Sequence, residues 1–467
     1  MATPGIDAPP LPGRARPIML PPLHEQRLDG GLSVITATRR ALPLVSALWM
    51  LRVGTEADPP GQAGLAAMVA TLLTKGARRG GAAVDAATLA QQAEALGGTL
   101  DAAGGWRSTT LAMTVTTARL PQALALMADC VRAPLLAEDE LTRARTQALD
   151  GLRVSLASPG ELAGMVARRA FWGATPYGGV TTAASLGRIQ PADVAAFHRR
   201  WYRPENAVLV LAGDIEPAAA AELARAHFGS WPTDRMAVPP LQHPPPQTLA
   251  DPGLLVQLGA SGQSTVMLAL PYPPSDTAQR RVAQVANTVL GGGYSARLNQ
   301  EIRIKRGLSY GAGSDAESHP GGGMVLASAQ TDHKNAGAVL TVMREQVASL
   351  LAAEVPADEL AARQATLIGG FGRRVETTGG LASMVAAQLA QQRPLAELGR
   401  FVEEIGAVTA AQVRAFTQAH WAPAGQRAVV VGDLAKAGDG LVAAAGMARR
   451  LDAARLDLEQ AQLEARP

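Results

Sequence analysis

The chain has 467 residues, more than one hydrophobic core usually organises, so two or more domains are expected. Hydrophobic residues make up 47% and charged residues 18%, which excludes a disordered chain, and a net charge of +3 gives no electrostatic footprint for nucleic acid. The single cysteine, Cys130, rules out an intrachain disulfide and a Cys-based zinc knuckle, and no apolar run nears the ~20 residues that span a bilayer.

Residues 1–22 contain seven prolines and no apolar signal-peptide core, so they read as an extended arm. The compartment stays open: cytoplasm as written, periplasm if a signal has been removed. Residues 64–75 form a helix with Leu65, Met68, Val69 and Leu72 on one face. Its other face carries Ala67, Ala70, Thr71 and Thr74 where a solvent-facing stripe would hold charges. That face either packs closely on a neighbour or lines an enclosed space. Alternation of Leu111, Met113 and Val115 marks a strand from a sheet with one covered face, and residues 120–131 carry the helical spacing to cover it. The same strand, break and helix recur over 324–347.

A stronger repeat closes each half. DVAAFHRRWYRPENAVLVLAGDI (193–215) aligns without a gap with QVRAFTQAHWAPAGQRAVVVGDL (412–434), every pair 219 residues apart, including Phe197 with Phe416 and Gly213 with Gly432. Between the halves, five prolines fall between 239 and 246, which makes a semi-rigid spacer. The expected architecture is α+β: two homologous domains, each a mainly antiparallel sheet covered by helices. The boundaries are an arm at 1–22, an N-terminal domain at 23–235, a linker at 236–252, a C-terminal domain at 253–440 and a charged helical tail at 441–467.

Self-contained chemistry is sparse. No two of the seven histidines lie three to five residues apart, and His198 and His420 read as satisfied structural histidines. There is no nucleophile elbow, Walker loop or dinucleotide fingerprint. Two places stand out. In LNQEIRIKRGLSYGAGS (298–314), Arg303, Lys305 and Arg306 end a helix before Gly307, and Tyr310 lies on the strand that follows. The basic residues either complement the helix dipole, or Arg303 and Tyr310 aim two donors at one carbonyl or oxyanion. Gly291, Gly292 and Gly293, ahead of Tyr294, allow positive φ or close backbone approach after the helix 282–290, or simply end it.

In order and spacing, GTEADPPGQAGLA (54–66), the Tyr177 region, YRPENAVLVLAGDI (202–215), LGGGYSARL (290–298) and RIKRGLSYGAGS (303–314) resemble the pitrilysin/insulinase family of zinc metallopeptidases. The resemblance runs from about residue 28 to 434 and is nearest to the small two-domain members and the processing peptidases. It implies an inverted zinc motif, H-x-x-E-H, on the helix after G-L-A, with a third ligand, a glutamate, further on. Here those positions are Ala67, Ala70, Thr71 and Gln147, and no histidine occurs between His24 and His198. The family's later Arg and Tyr, which reach the substrate backbone, match Arg303 and Tyr310. The resemblance therefore implies the zinc-free subunit of a heterodimeric peptidase, inactive alone. A homologous H-x-x-E-H partner would hold the zinc, and a peptide would be the substrate. The alternative it leaves is an inert peptide-holding or scaffold protein of the same fold.

Overall fold

The computed structural model describes residues 17–232 and 238–463. The first sixteen residues of the expected arm lie outside that range; of its remainder, Ile18 and Leu20 pack on an apolar cluster. The first sheet has strand order β1-β2-β8-β3-β7-β6, from β1 (Leu23–Arg27), β2 (Ser33–Thr38), β3 (Leu44–Leu51), β6 (Asp101–Gly104), β7 (Thr109–Thr116) and β8 (Ala207–Gly213); β4 (Gly76–Arg79) and β5 (Ala82–Asp85) form a separate hairpin. The second sheet has order β11-β12-β10-β13-β9-β14, from β9 (Gly253–Gln257), β10 (Ser264–Tyr272), β11 (Ser309–His319), β12 (Gly322–Thr331), β13 (Arg427–Gly432) and β14 (Ala448–Asp452).

The sequence repeat is the key to this arrangement. β8 and β13 are its strands, and each follows its repeated helix, Pro191–Trp201 or Ala410–His420. Each strand pairs antiparallel with a centre strand, β3 or β10, and parallel with β2 or β9. The sheets are mainly antiparallel, as the alternation predicts. The symmetry breaks at one edge. In the first sheet β1 precedes β2 and pairs antiparallel with it. Ahead of β9 lies the proline-rich stretch, whose prolines lack the N–H a ladder needs. β14 takes that edge instead, parallel to β9.

Residues 441–463, the described part of the expected tail, are thus not a solvated helix. After a short helix, Asp439–Ala445, the chain forms β14 and then runs back across the N-terminal half. Leu458 and Leu463 are buried there, and Glu459 pairs with Arg188 at 2.9 Å. Of the charged residues that suggested a helix, Glu459 serves this crossing and Arg449 pairs with Asp251.

The expectation of one covered face also fails for the inner strands. β8 is buried along its whole length and β3 nearly so. One face of the first sheet packs on its own half's helices, including Leu120–Arg132. Its other face, with Ile35, Leu48, Val208 and Val210, packs on Leu381 and Val385 from the C-terminal half's Thr378–Ala390 helix. Reciprocally, Leu162 and Val166 from the Pro159–Trp172 helix cover Leu254, Val256 and Val429 of the second sheet. Each half lends the other a helix. Strand β7, beside the edge strand β6, keeps the half-buried alternation, and so does β12 over its second half.

The described part of the linker is not a free spacer. A Cβ on Gly321 would lie 2.4 Å from the His243 carbonyl, and one on Gly173 would lie 2.3 Å from that of Gln247. Glycines at both positions let the stretch press between the two halves. Among the described residues, no helix is long and apolar enough to cross a membrane.

Candidate functional site

The Leu65–Leu72 helix starts where Asp58 accepts the backbone N–H groups of Gly64 and Ala66, each at 2.7 Å. Its apolar face enters the core as expected. The small-residue face is divided. Ala70 is 1% exposed, and β6 lies directly on it: a Cβ on Gly104 would stand 3.2 Å from Ala67 Cα and 3.4 Å from Ala70 Cβ. Close packing, one of the two readings of this face, accounts for Ala67 and Ala70. Thr71 is exposed and turns its hydroxyl to the Ala67 carbonyl at 3.0 Å. Gln147 is exposed on the neighbouring Glu138–Ala157 helix.

This donor set does not fit zinc. Two methyl groups, a hydroxyl and an amide offer no imidazole, thiolate or carboxylate. Among the described residues no cluster of three His, Cys, Asp or Glu could hold a metal.

The Arg303 region is built differently. Arg280–Leu290 ends at Gly291, whose N–H caps back to Asn287 O at 2.9 Å. Gly291 and Gly292 do not adopt positive φ. They are needed for close approach, since a Cβ would come within 2.4 Å of Ser314 N and 2.7 Å of Thr288 Cα respectively. Gly293 meets only the tip of Arg363. The chain then passes Tyr294 and enters a π-helical turn, Gln300–Lys305. Such turns widen the helix and re-aim its side chains. Gly307, at φ +60°, ends it as expected, and β11 follows.

Within that turn the three basic residues separate. Lys305 and Arg306 both bind Glu301. Arg303 makes neither an ion pair nor a hydrogen bond with a described residue; its guanidinium lies 4.8 Å from the ring centre of Tyr310 and 5.1 Å from that of Tyr294. Tyr310 is 90% exposed and Tyr294 67%, a cation held between two open aromatic faces. Asn299 ties the arrangement together: its Nδ2 donates to the Tyr294 carbonyl at 2.6 Å, and its Oδ1 accepts from the Ala312 N–H at 3.2 Å. The structure thus brings Arg303 and Tyr310 into contact, and it adds Tyr294, which sequence reasoning noted only as the residue after a glycine loop. Asn299 gave no sequence signal.

Sequence reasoning also missed a buried polar cluster where the halves meet. Tyr177 donates to Glu56 Oε2 at 3.2 Å, its hydroxyl is 2.6 Å from His243 Nδ1, and Arg107 Nε lies 3.5 Å from Glu56. His319 stacks on Tyr177 with centroids 4.0 Å apart, and neither of its ring nitrogens has a partner among the described residues. Burial pushes Glu56 up to about 7, against the pull of Arg107 and Tyr177. Burial, helped by the charges of Arg168 and Arg107, pushes His319 down to about 3. No feature of the one-dimensional pattern joins positions 56, 107, 177, 243 and 319.

Two sheet-and-helix halves from one duplication, with the small-residue helix in the first and the Arg/Tyr pair in the second, can be set beside known proteins. The sequence profile of the insulinase family, peptidase family M16, matches residues 36–181, and that of the peptidase M16 inactive domain matches residues 188–367. The chain belongs to this pitrilysin/insulinase peptidase family. It is 27% identical over 391 residues to an uncharacterised zinc protease of Mycobacterium leprae, covering 83% of this chain and 87% of that protein. It is 31% identical over 286 residues to an uncharacterised zinc protease of Mycobacterium tuberculosis, covering 61% and 64%. Its fold is similar to the crystal structure of a protease from Helicobacter pylori, with a TM-score of 0.83 at 19% identity over 89% of this chain and all of that one. It also resembles a peptidase M16 inactive domain from Pseudomonas fluorescens, with a TM-score of 0.78 at 23% identity over 88% and 98%.

Proposed function

We propose that this chain is the zinc-free subunit of a two-subunit metallopeptidase. A homologous partner would carry H-x-x-E-H and the metal, and this chain would contribute Arg303 and Tyr310 to the bound peptide. The observation that carries the reading is the contrast between the two halves. The zinc positions are filled by Ala67, Ala70 and Thr71, whereas Arg303 pairs with no carboxylate among the described residues and is held on two exposed rings. A guanidinium and a phenol are donors, so they suit a peptide carbonyl and the oxyanion formed when it is attacked. A scaffold would have no need to keep Arg303 unpaired beside exposed tyrosines.

The test is co-expression with a homologous chain bearing H-x-x-E-H. The expected result is a complex of about twice the chain mass with one zinc that turns over peptides. Arg303→Ala should lower kcat by roughly 10²–10³ without changing the mass of the complex. Unchanged turnover overturns the role given to Arg303. A chain that stays zinc-free and alone favours the scaffold reading.

A further inference from the structure

A polar recess of about 260 Å³ opens between β10, β11, the start of the Arg280–Leu290 helix and the loop after Thr378–Ala390. Arg280 and Arg393 line it, and no carboxylate does. Arg280 is engaged, donating through Nη2 to Glu397 at 2.9 Å and through Nη1 to the Thr277 carbonyl at 3.2 Å. Its neighbour Arg281 donates to Glu404 at 2.7 Å. The guanidinium of Arg393 makes no hydrogen bond or ion pair with a described residue, and its Nε is buried. Ser275, also in the wall and 4% exposed, has a buried hydroxyl, and neither it nor the buried Arg280 Nε has a partner among the described residues.

Arg280, Arg281 and Arg400 already share the carboxylates of Glu397 and Glu404, so Arg393 adds to a positive excess. Burial and the repulsion of Arg280 and Arg281 draw Arg393 below the usual guanidinium value, although Glu397 pulls the other way. A guanidinium cannot shed its proton to relieve this, and a buried donor left unmade is costly. What satisfies an unpaired guanidinium in such a wall is a charged group made of acceptor oxygens.

We propose that this recess binds an oxyanion, a carboxylate or a phosphate, on Arg393 with the Ser275 hydroxyl beside it. The anion site does not rest on the subunit role given above; only its peptide source does. Two sources fit the chemistry. One is a free phosphate. The other is an acidic side chain of a peptide lying along β11, because Ala316 in the recess wall is six residues, about 20 Å of strand, from Tyr310.

The test is calorimetric titration of the full chain with inorganic phosphate, and with a glutamate-bearing peptide against its glutamine counterpart. At least one of the two anions should bind, and Arg393→Gln should weaken it tenfold or more. Arg393→Lys, which keeps the charge but loses the fork, should weaken it less, and Arg153→Gln on the far Glu138–Ala157 helix should leave it unchanged. Ser275→Ala, a small change to a buried wall, should weaken it severalfold and guards against Arg393→Gln failing to fold. Loss of phosphate binding alone would assign a free anion; loss of the glutamate preference alone would assign the peptide. No binding of either anion at ~10 mM, or binding undiminished in Arg393→Gln, overturns the proposal.

Discussion

At the residue scale, the cluster where the halves meet, together with His198 buried on the Pro191–Trp201 helix, sets how stability responds to pH. His319 is held near 3 and His198 near 4 by burial, against an ordinary value of 6.5. Between about 4 and 6.5 the unfolded chain binds protons that the folded chain refuses, so stability falls as pH drops through that window. Glu56 acts in the opposite sense. Its folded value of about 7 lies above the ordinary 4.5, so the stability it contributes is present below 4.5 and is lost as pH rises toward 7. His319→Phe keeps the stack on Tyr177 and should flatten the acid limb, by up to about 1.4 kcal/mol per pH unit. Glu56→Gln should flatten the opposing limb. Urea midpoints from pH 4 to 8 check both; an acid limb unaltered in His319→Phe would assign the protons to other groups.

At the element scale, β6 and the Leu65–Leu72 helix explain why H-x-x-E-H cannot simply be written at positions 67–71. Ala70 is nearly inaccessible beneath Gly104, so Ala70→Glu buries a carboxylate without a partner. Thr71 is exposed and should accept a histidine. The triple variant Ala67→His, Ala70→Glu, Thr71→His should lose roughly 1–3 kcal/mol, by denaturant unfolding, and bind well under one zinc after dialysis. Full zinc occupancy at wild-type stability would mean that β6 moves freely off the helix. The π-helical turn makes a complementary point. Its sequence, with two basic residues tied to Glu301 and one free, looks uniform until the turn separates them.

At the scale of the whole molecule, the halves are interlocked. The Val208 and Val210 face of the first sheet is covered mainly from the C-terminal half, so residues 23–235 expressed alone should expose it and aggregate. The crossing segment adds a second fastening. Truncation after Arg455 removes the burial of Leu458 and Leu463 and the Glu459 pair with Arg188. Two buried leucines are worth about 1.5–3 kcal/mol each, so the truncated chain should unfold at clearly lower urea. A midpoint equal to that of the full chain would show that the segment contributes no stability.

What was legible in one dimension was whatever repeats or is local. A 219-residue offset revealed the duplication, because each copy must rebuild the same helix and strand. Alternation placed β7 and spacing placed the Leu120–Arg132 helix, since each buries one face. Motif order gave the family and pointed to Arg303 and Tyr310. Tertiary structure alone decided which half covers which sheet, where the chain's end goes and which charges stay unpaired. Burial of β3 and β8 depends on a helix more than 160 residues later. An edge strand from residue 448 fills the place that proline denies to residues before 253. Apolar burial has no direction and no sequence range, so contacts of that kind leave no period for a reader of the chain to find.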